Sequence, residues 1–130
     1  MQMSKFVNIG SWILQILLAV LFIMMGAQKL MGEAEVAANF VRWGMPSFML
    51  PLIGALEVAG GLGLLIPRLA GLAAAGLIPV MIGALFTHLS HGEMEMAPVP
   101  FVVLIVLAVI AYVRNPLAMF KKTSESPAES

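Results

Sequence analysis

Four long runs of apolar residues dominate this chain and leave few folds open to it. They cover residues 9–30, 48–66, 69–89 and 98–113, of which the last is the shortest. A helix needs about 20 apolar residues to cross a bilayer, and the runs are of that order. Because their apolar residues are continuous rather than alternating, they predict helices and not barrel strands. The sequence therefore predicts an all-α membrane protein built as a bundle of four transmembrane helices.

Composition supports the membrane class and excludes several kinds of function. Hydrophobic residues make up 61% of the chain and charged residues 11%, against roughly 45–50% and about 25% in soluble domains. A soluble domain of this size cannot bury so much apolar surface. The absence of cysteine excludes disulfides and thiolate metal sites within the chain. Lys121 and Lys122 form the only basic cluster, so nothing indicates a nucleic-acid partner.

The segments between and beyond the runs complete the expected organisation. Residues 32–44 are too polar to span, but their apolar positions recur at helical spacing. They predict a short amphipathic helix on the membrane surface between helices 1 and 2, with a structured loop as the alternative. Residues 1–8 are expected to be a cytoplasmic N-terminus and 9–113 the transmembrane domain. Residues 114–130 are expected to be a polar cytoplasmic tail, disordered at its end.

Basic residues near the helix ends predict the orientation in the membrane. One side is expected to carry five of them: Lys5, Arg68, Arg114, Lys121 and Lys122. The other side carries only Lys29 and Arg42. Because Lys and Arg favour the cytoplasmic side, both termini are expected in the cytoplasm, and the location is expected to be a bacterial inner membrane.

Glu57 is the most unusual residue, because it lies near the middle of the second apolar run. A charged side chain at that depth costs about 2.5–3.5 kcal/mol on insertion scales. Small residues accompany it on the same helix: Gly54, Gly60, Gly61 and Gly63. Glycines line faces where another helix backbone approaches closely. We therefore expect these glycines to be helix-packing positions and Glu57 to point into the bundle.

Other polar residues are candidates to meet Glu57. Gln15, Lys29 and the small or aromatic residues between them share one face of the first helix, and His88 lies near the end of the third. We expect a buried polar cluster or ligand pocket formed by Glu57, Lys29 and His88, joined by Gln28 and Gln15. Two other interpretations stay open: the ion pair only fixes helix register, or Glu57 is protonated and bonded to backbone.

A second group of potential ligands follows the third helix, in the segment that begins at His88. Imidazole and thioether groups are copper ligands, which makes a metal site conceivable. Its members are His88, His91, Met94 and Met96. The spacing is irregular, however, and the two histidines can equally finish a helix that Gly92 stops. We therefore predict no metal site.

Several stretches together resemble the DoxX-like family of small four-helix membrane proteins. They are GAQKL at 26–30, FVRWGMP at 40–46, IGALEVAGG at 53–61, LIPRLAG at 65–71 and GALFTH at 83–88. The resemblance implies the same four-helix fold. Members are often named oxidoreductases, by association with a thiosulfate:quinone oxidoreductase, while other relatives are accessory proteins and assembly factors. Lys29, Glu57 and His88 match the recurring polar positions, but the cysteine pair of thiol-handling four-helix enzymes is missing.

The favoured hypothesis is a non-catalytic accessory or structural subunit of a membrane complex. Small residues support it, since the second and third helices offer faces for a membrane-protein partner or a second copy of the chain. The alternative is a quinone-linked oxidoreductase component with its pocket at Glu57, Lys29 and His88. A small-solute transporter is the third hypothesis. We predict no cofactor under the favoured hypothesis, and a quinone under the alternative. We expect the chain to contact the lipid bilayer.

Overall fold

A computed structural model describes residues 4–115, and every regular element in that range is a helix. The bounds are Lys5–Leu30 (α1), Ala34–Arg42 (α2), Met49–Leu64 (α3), Ala70–Ser90 (α4), a 3-10 turn at Met94–Met96, and Pro98–Val113 (α5). The four apolar runs coincide with α1, α3, α4 and α5. The predicted all-helical bundle is therefore confirmed. Residues 1–3 and most of the expected tail, including Lys121 and Lys122, lie outside the described residues.

Three of the helical stretches are long and apolar enough to cross a membrane: α1, α4 and residues 94–113. The fourth candidate, α3, has 16 residues, which corresponds to about 24 Å against a hydrocarbon core of about 30 Å. The flanking residues Phe48, Leu65 and Ile66 are apolar and lengthen the stretch that lipid can cover. A fourth crossing by α3 stays a prediction.

The first helix begins at a cap and buries one face. The Ser4 hydroxyl accepts a hydrogen bond from the backbone N–H of Val7 at 3.1 Å, which satisfies one of the free donors at the start of a helix. After the helix, Gly32 adopts φ +66°, a conformation that stops helices and favours glycine. The predicted inward stripe is buried at Gln15, Ala19, Phe22 and Gly26.

The segment between α1 and α3 forms the predicted amphipathic helix, α2. Phe40 is buried on one side, whereas Val41 and Arg42 are exposed on the other. This segment is therefore a helix and not the structured loop that was the alternative. Its location on the membrane surface stays a prediction.

The helices assemble as two pairs. Helix α1 packs on α3, and α4 packs on α5, while α3–α4 and α1–α5 contacts join the pairs. We call the end that carries α2 the α2 end, and the opposite end, where α1 begins and α5 finishes, the terminal end. The fully buried apolar side chains between the pairs include Phe22, Leu64, Leu77, Leu107 and Ile110.

The surface that faces away from the bundle is also apolar. Exposed large side chains lie along all the long helices and include Ile13, Leu17, Val20, Leu52, Leu72, Phe86, Ile105 and Tyr112. Soluble monomers rarely expose contiguous apolar areas of this extent. The surface therefore matches lipid rather than water, and the chain is an integral membrane protein.

Candidate ligand-binding site

The carboxylate of Glu57 lies inside the bundle and faces a lysine from α1. Glu57 is 1% exposed, and its Oε1 lies 2.8 Å from Nζ of Lys29. Within residues 4–115, no aligned hydrogen bond reaches this oxygen, so the ammonium balances the carboxylate by charge. Removing two charges from water costs several kcal/mol each, and only a close pair recovers that cost.

Glycines bring the two helices close enough for this pair to form. A Cβ added to Gly26 would lie 2.6 Å from the carbonyl oxygen of Gly54, and one added to Gly54 would lie 2.9 Å from Cβ of Lys29. The backbones of α1 and α3 are therefore in contact one turn from Glu57. Gly61 also packs against α1, beside Ala19.

The other two glycines of α3 face α4. A Cβ on Gly60 would lie 2.6 Å from the side chain of Leu77, and one on Gly63 would lie 2.9 Å from Cβ of Ala73. Helix α3 thus packs closely on both neighbours. The Glu57 carboxylate lies beside α1, where it meets Lys29.

A cavity of about 650 Å³ occupies the α2 end of the bundle next to this ion pair. Ligand pockets commonly measure 300–1,000 Å³ and combine apolar walls with a few polar groups. The polar groups here are Lys29, Asn39, Trp43, Glu57, Thr87, His88 and Glu95. The walls are mainly aliphatic and include five methionines: Met25, Met45, Met49, Met81 and Met96.

Four residues form a polar cluster at the α2 end of the cavity, and we call them the latch: Arg42, Trp43, His88 and Glu93. Nδ1 of His88 lies 2.9 Å from Oε1 of Glu93, to which Trp43 Nε1 also donates at 3.2 Å. Arg42 donates to the other carboxylate oxygen. The rings of Trp43 and His88 meet edge to face, with centroids 5.4 Å apart. The latch therefore ties the end of α2 to the α4–α5 connection.

These bonds keep the Glu93 carboxylate ionised. The hydrogen bond with His88, followed by that from Arg42, lowers its pKa from 4.5 to about 2. Hydrogen bonds to the charged form favour that form. The Glu93 carboxylate is therefore ionised at neutral pH.

The structure brings Lys29, Glu57 and His88 to the same cavity. It does not bring Gln15 or Gln28 there. Gln28 is exposed. Gln15 is completely buried nearer the terminal end, where its Nε2 donates to the carbonyl of Leu64 at 2.8 Å. The reason is distance along α1, because fourteen residues of helix separate Gln15 from Lys29 by about 21 Å.

Sequence reasoning missed the latch as a unit. Sequence analysis used Arg42 only for the orientation in the membrane and did not group it with Trp43, His88 and Glu93. The available signal was electrostatic: Arg42 and Glu93 are opposite charges next to apolar runs, in the two connections on the same side. That signal alone does not identify His88 as the shared partner.

The residues of the weak metal candidate have separate partners. His88 contacts Glu93, whereas Nδ1 of His91 lies 2.8 Å from the carbonyl oxygen of Thr87 in its own helix. Gly92 follows with φ +70° and ends the helix, as the alternative interpretation stated. In the part of the chain that the structure describes, no three His, Cys, Asp or Glu residues are grouped for a metal ion.

Comparisons with known proteins agree with the helical membrane architecture. The sequence profile of the DoxX-like family matches residues 13–111. The chain is also similar to the inner membrane protein YqjF of Escherichia coli K12, with 40% identity over 63 residues. That alignment covers 48% of this chain and 48% of the relative, so the chain spans about half the length of the relative that it matches. No solved structure gives a significant match.

Proposed function

Since this chain belongs to the DoxX-like family, we propose that it is a ligand-binding component of a bacterial inner membrane. The cavity at the α2 end holds the ligand, and Lys29, Glu57 and His88 contact its polar part. The similarity to an inner membrane protein supports the location. The observation that carries the proposal is the charged pair at the wall of an otherwise apolar cavity of about 650 Å³.

A quinone is the ligand class that suits this cavity best. Its carbonyl oxygens accept hydrogen bonds, which the Lys29 ammonium and the His88 imidazole can donate. Its ring is apolar and matches the aliphatic and aromatic walls of the cavity. A quinone site would make the chain a component of a redox complex, in which a partner protein supplies the electrons.

Binding can be tested with decylubiquinone and the purified protein in lipid nanodiscs. The chain has two tryptophans, and Trp43 lines the cavity. In a Trp12→Phe background, quenching of the remaining Trp43 fluorescence reports binding. We expect saturable quenching in this background. The double variant Lys29→Met/Glu57→Leu should weaken it at least about tenfold, which corresponds to about 1.4 kcal/mol.

Exposed charges at the start of α2 provide the matched control. Glu33 and Glu35 are both exposed, and replacing them with glutamine should leave decylubiquinone binding unchanged. If decylubiquinone quenches Trp43 without saturation, or equally in the double variant, the cavity is not a quinone site.

A second candidate function is an accessory subunit that packs on a partner in the membrane. Ala55, Ala59 and Gly76 are exposed on the lipid-facing side of α3 and α4, and such small residues favour helix contacts in lipid. Gly63 is not part of this surface, because it is buried and faces Ala73 of α4. Copurification of a stoichiometric protein in mild detergent, and its loss with Ala59→Trp, would support this function.

We propose that both termini are cytoplasmic. Lys5, Arg68 and Arg114 lie near the terminal end, and the positive-inside rule assigns that end to the cytoplasm. The two basic residues near the α2 end, Lys29 and Arg42, each pair with a glutamate. Their attraction to the cytoplasmic side is thereby reduced.

A further inference from the structure

The cavity has an opening between α3 and α4. These helices pack closely toward the terminal end, where Gly60 meets Leu77 and Gly63 meets Ala73. Nearer the α2 end, Pro79 and Gly83 of α4 line the cavity and are also exposed on the surface of the bundle. At Gly83 no side chain closes the wall, and a Cβ added there would meet no atom within 4 Å. The opening therefore leads sideways, toward lipid.

Gly83 leaves unused space at this opening. A Cβ added to it would meet no atom within 4 Å, and the same is true of Gly76. This contrasts with the glycines of α3, which are needed for close helix packing. The helix–helix contact therefore gives no reason for small residues at 76 and 83, whereas an occupant of the opening would need the space.

An apolar groove continues from the opening along the same two helices. It measures about 280 Å³ and has almost purely apolar walls, among them Leu56, Gly60, Leu72 and Gly76. Its nearest residues follow those of the cavity by one helical turn, since Leu56 comes three positions after Ile53 and Gly76 three before Pro79. The cavity, the opening and the groove therefore follow one another along α3 and α4, and we call the three together the track.

The α2 end of the cavity offers an apolar tail no comparable path. Glu93, bonded to Arg42, Trp43 and His88, lies at that end, and the exposed Glu95 lines the cavity there. A tail that left the cavity at this end would meet charged groups and water, whereas one that left between Pro79 and Gly83 would meet lipid.

We propose that the bound ligand carries an apolar tail, which leaves the cavity between Pro79 and Gly83 and lies in the groove between α3 and α4. The proposal rests on the proposed function and narrows its ligand to amphiphiles that are dissolved in the bilayer. The polar head lies beside Lys29, Glu57 and His88, and the tail replaces lipid along the groove. Contacts of the ligand's ring in the cavity and of its tail in the groove therefore contribute separately to the free energy of binding.

The test compares decylubiquinone with its tail-free ring analogue in the Trp12→Phe background. Gly83→Leu places an apolar side chain at the opening, where nothing lies within 4 Å of the added Cβ. We expect this variant to weaken decylubiquinone binding at least about tenfold and to leave binding of the ring analogue within about twofold. Gly10→Leu is the matched control, since it is also a helical glycine with open space but lies outside the track.

The outcomes separate this inference from the proposed function. If wild-type protein binds both probes and Gly83→Leu changes neither affinity, or changes both equally, the tail does not pass through the opening. In that case an acyl chain of the bilayer fills the groove, and the head-group site stands. If the wild-type protein binds neither probe, the proposed function fails and the inference fails with it.

Discussion

Glu57 and Lys29 are not equivalent partners, although they form one ion pair. Glu57 is 2% exposed at its side chain, and Lys29 is 15% exposed. Lysine has a long flexible stem that can carry its ammonium to the membrane boundary, whereas the glutamate side chain is shorter and almost completely buried. Removing Lys29 and removing Glu57 should therefore change the free energy of unfolding by different amounts.

The first prediction uses this asymmetry. Lys29→Met leaves a buried carboxylate without its counter-charge, which destabilises proteins by about 3–5 kcal/mol. Glu57→Gln leaves a lysine that can reorient, so we expect a smaller loss. Equilibrium unfolding of the purified variants in mixed micelles measures both values. Equal losses would show that Lys29 is as confined as Glu57.

The double variant Lys29→Met/Glu57→Leu completes this comparison. Replacing a buried pair by apolar residues of similar volume is often neutral or stabilising, so its stability should approach that of the wild type. A stable double variant that has lost ligand binding would assign the pair to the ligand. A stable double variant that keeps binding would leave the pair only a role in helix packing.

The second prediction concerns pH and Glu93. The folded pKa of about 2 lies below the ordinary value of 4.5, so its ionised form stabilises the latch above about pH 4.5. This contribution disappears as the pH falls toward 2. The Trp43 emission of a Trp12→Phe protein should shift between pH 4.5 and 2. The same shift in Glu93→Gln would assign it to another carboxylate.

Pairs of helices are organised by glycine contacts, and α1 with α3 forms the closest pair. Gly26 and Gly54 place backbone against backbone, which fixes the distance and the rotation of both helices. This contact determines that Lys29 and Glu57 meet. A helix with larger residues at these two positions would hold the charges apart.

The third prediction follows from this contact. Gly26→Ala would put a methyl group 2.6 Å from the Gly54 carbonyl oxygen, and overpacking of this kind costs about 1–3 kcal/mol. Thermal unfolding in detergent should show the loss. Gly10→Ala, whose Cβ meets nothing within 4 Å, should be neutral or stabilising, because alanine favours helix over glycine by up to about 1 kcal/mol. Equal stabilities for the two variants would contradict the close contact.

The fourth prediction tests α2 as the cover of the cavity. The chain has no cysteine, so Val36→Cys provides a single thiol at the cavity wall. A water-soluble maleimide should label it slowly, and at least about threefold faster after Arg42→Ala removes the ion pair with Glu93. Glu35→Cys, which is exposed, should react at the same rate in both backgrounds. Unchanged labelling at 36 would mean that the latch does not close the cavity.

The sequence predicted the helices well, and the candidate site only in part. Continuous apolar runs identify helices α1, α3, α4 and α5 because the bilayer demands such runs. Glu57 could be assigned to the interior because its charge and its glycine neighbours agree. The latch could not be predicted, since it depends on how two connections, separated by fifty-one positions at Arg42 and Glu93, fold over the same end.

At the scale of the whole molecule, the short helix α3 decides the topology. If α3 crosses the membrane, the α1–α3 and α3–α4 connections lie on opposite sides. The fifth prediction is that a membrane-impermeant maleimide labels Glu35→Cys in intact cells, whereas Arg68→Cys and Ser4→Cys react only after the membrane is permeabilised. Labelling of Glu35→Cys and Arg68→Cys from the same side would exclude a crossing by α3.

The Lys29–Glu57 contact joins two helices from the first half of the chain, and this order matters during synthesis. Domains and helices that are made first can associate before the rest is complete. When α3 enters the membrane, α1 already offers a counter-charge, so the carboxylate has a partner before α4 and α5 are translated. Arg42 must wait for Glu93, which follows it by fifty-one positions. During synthesis, the Lys29–Glu57 pair can therefore form before the latch does.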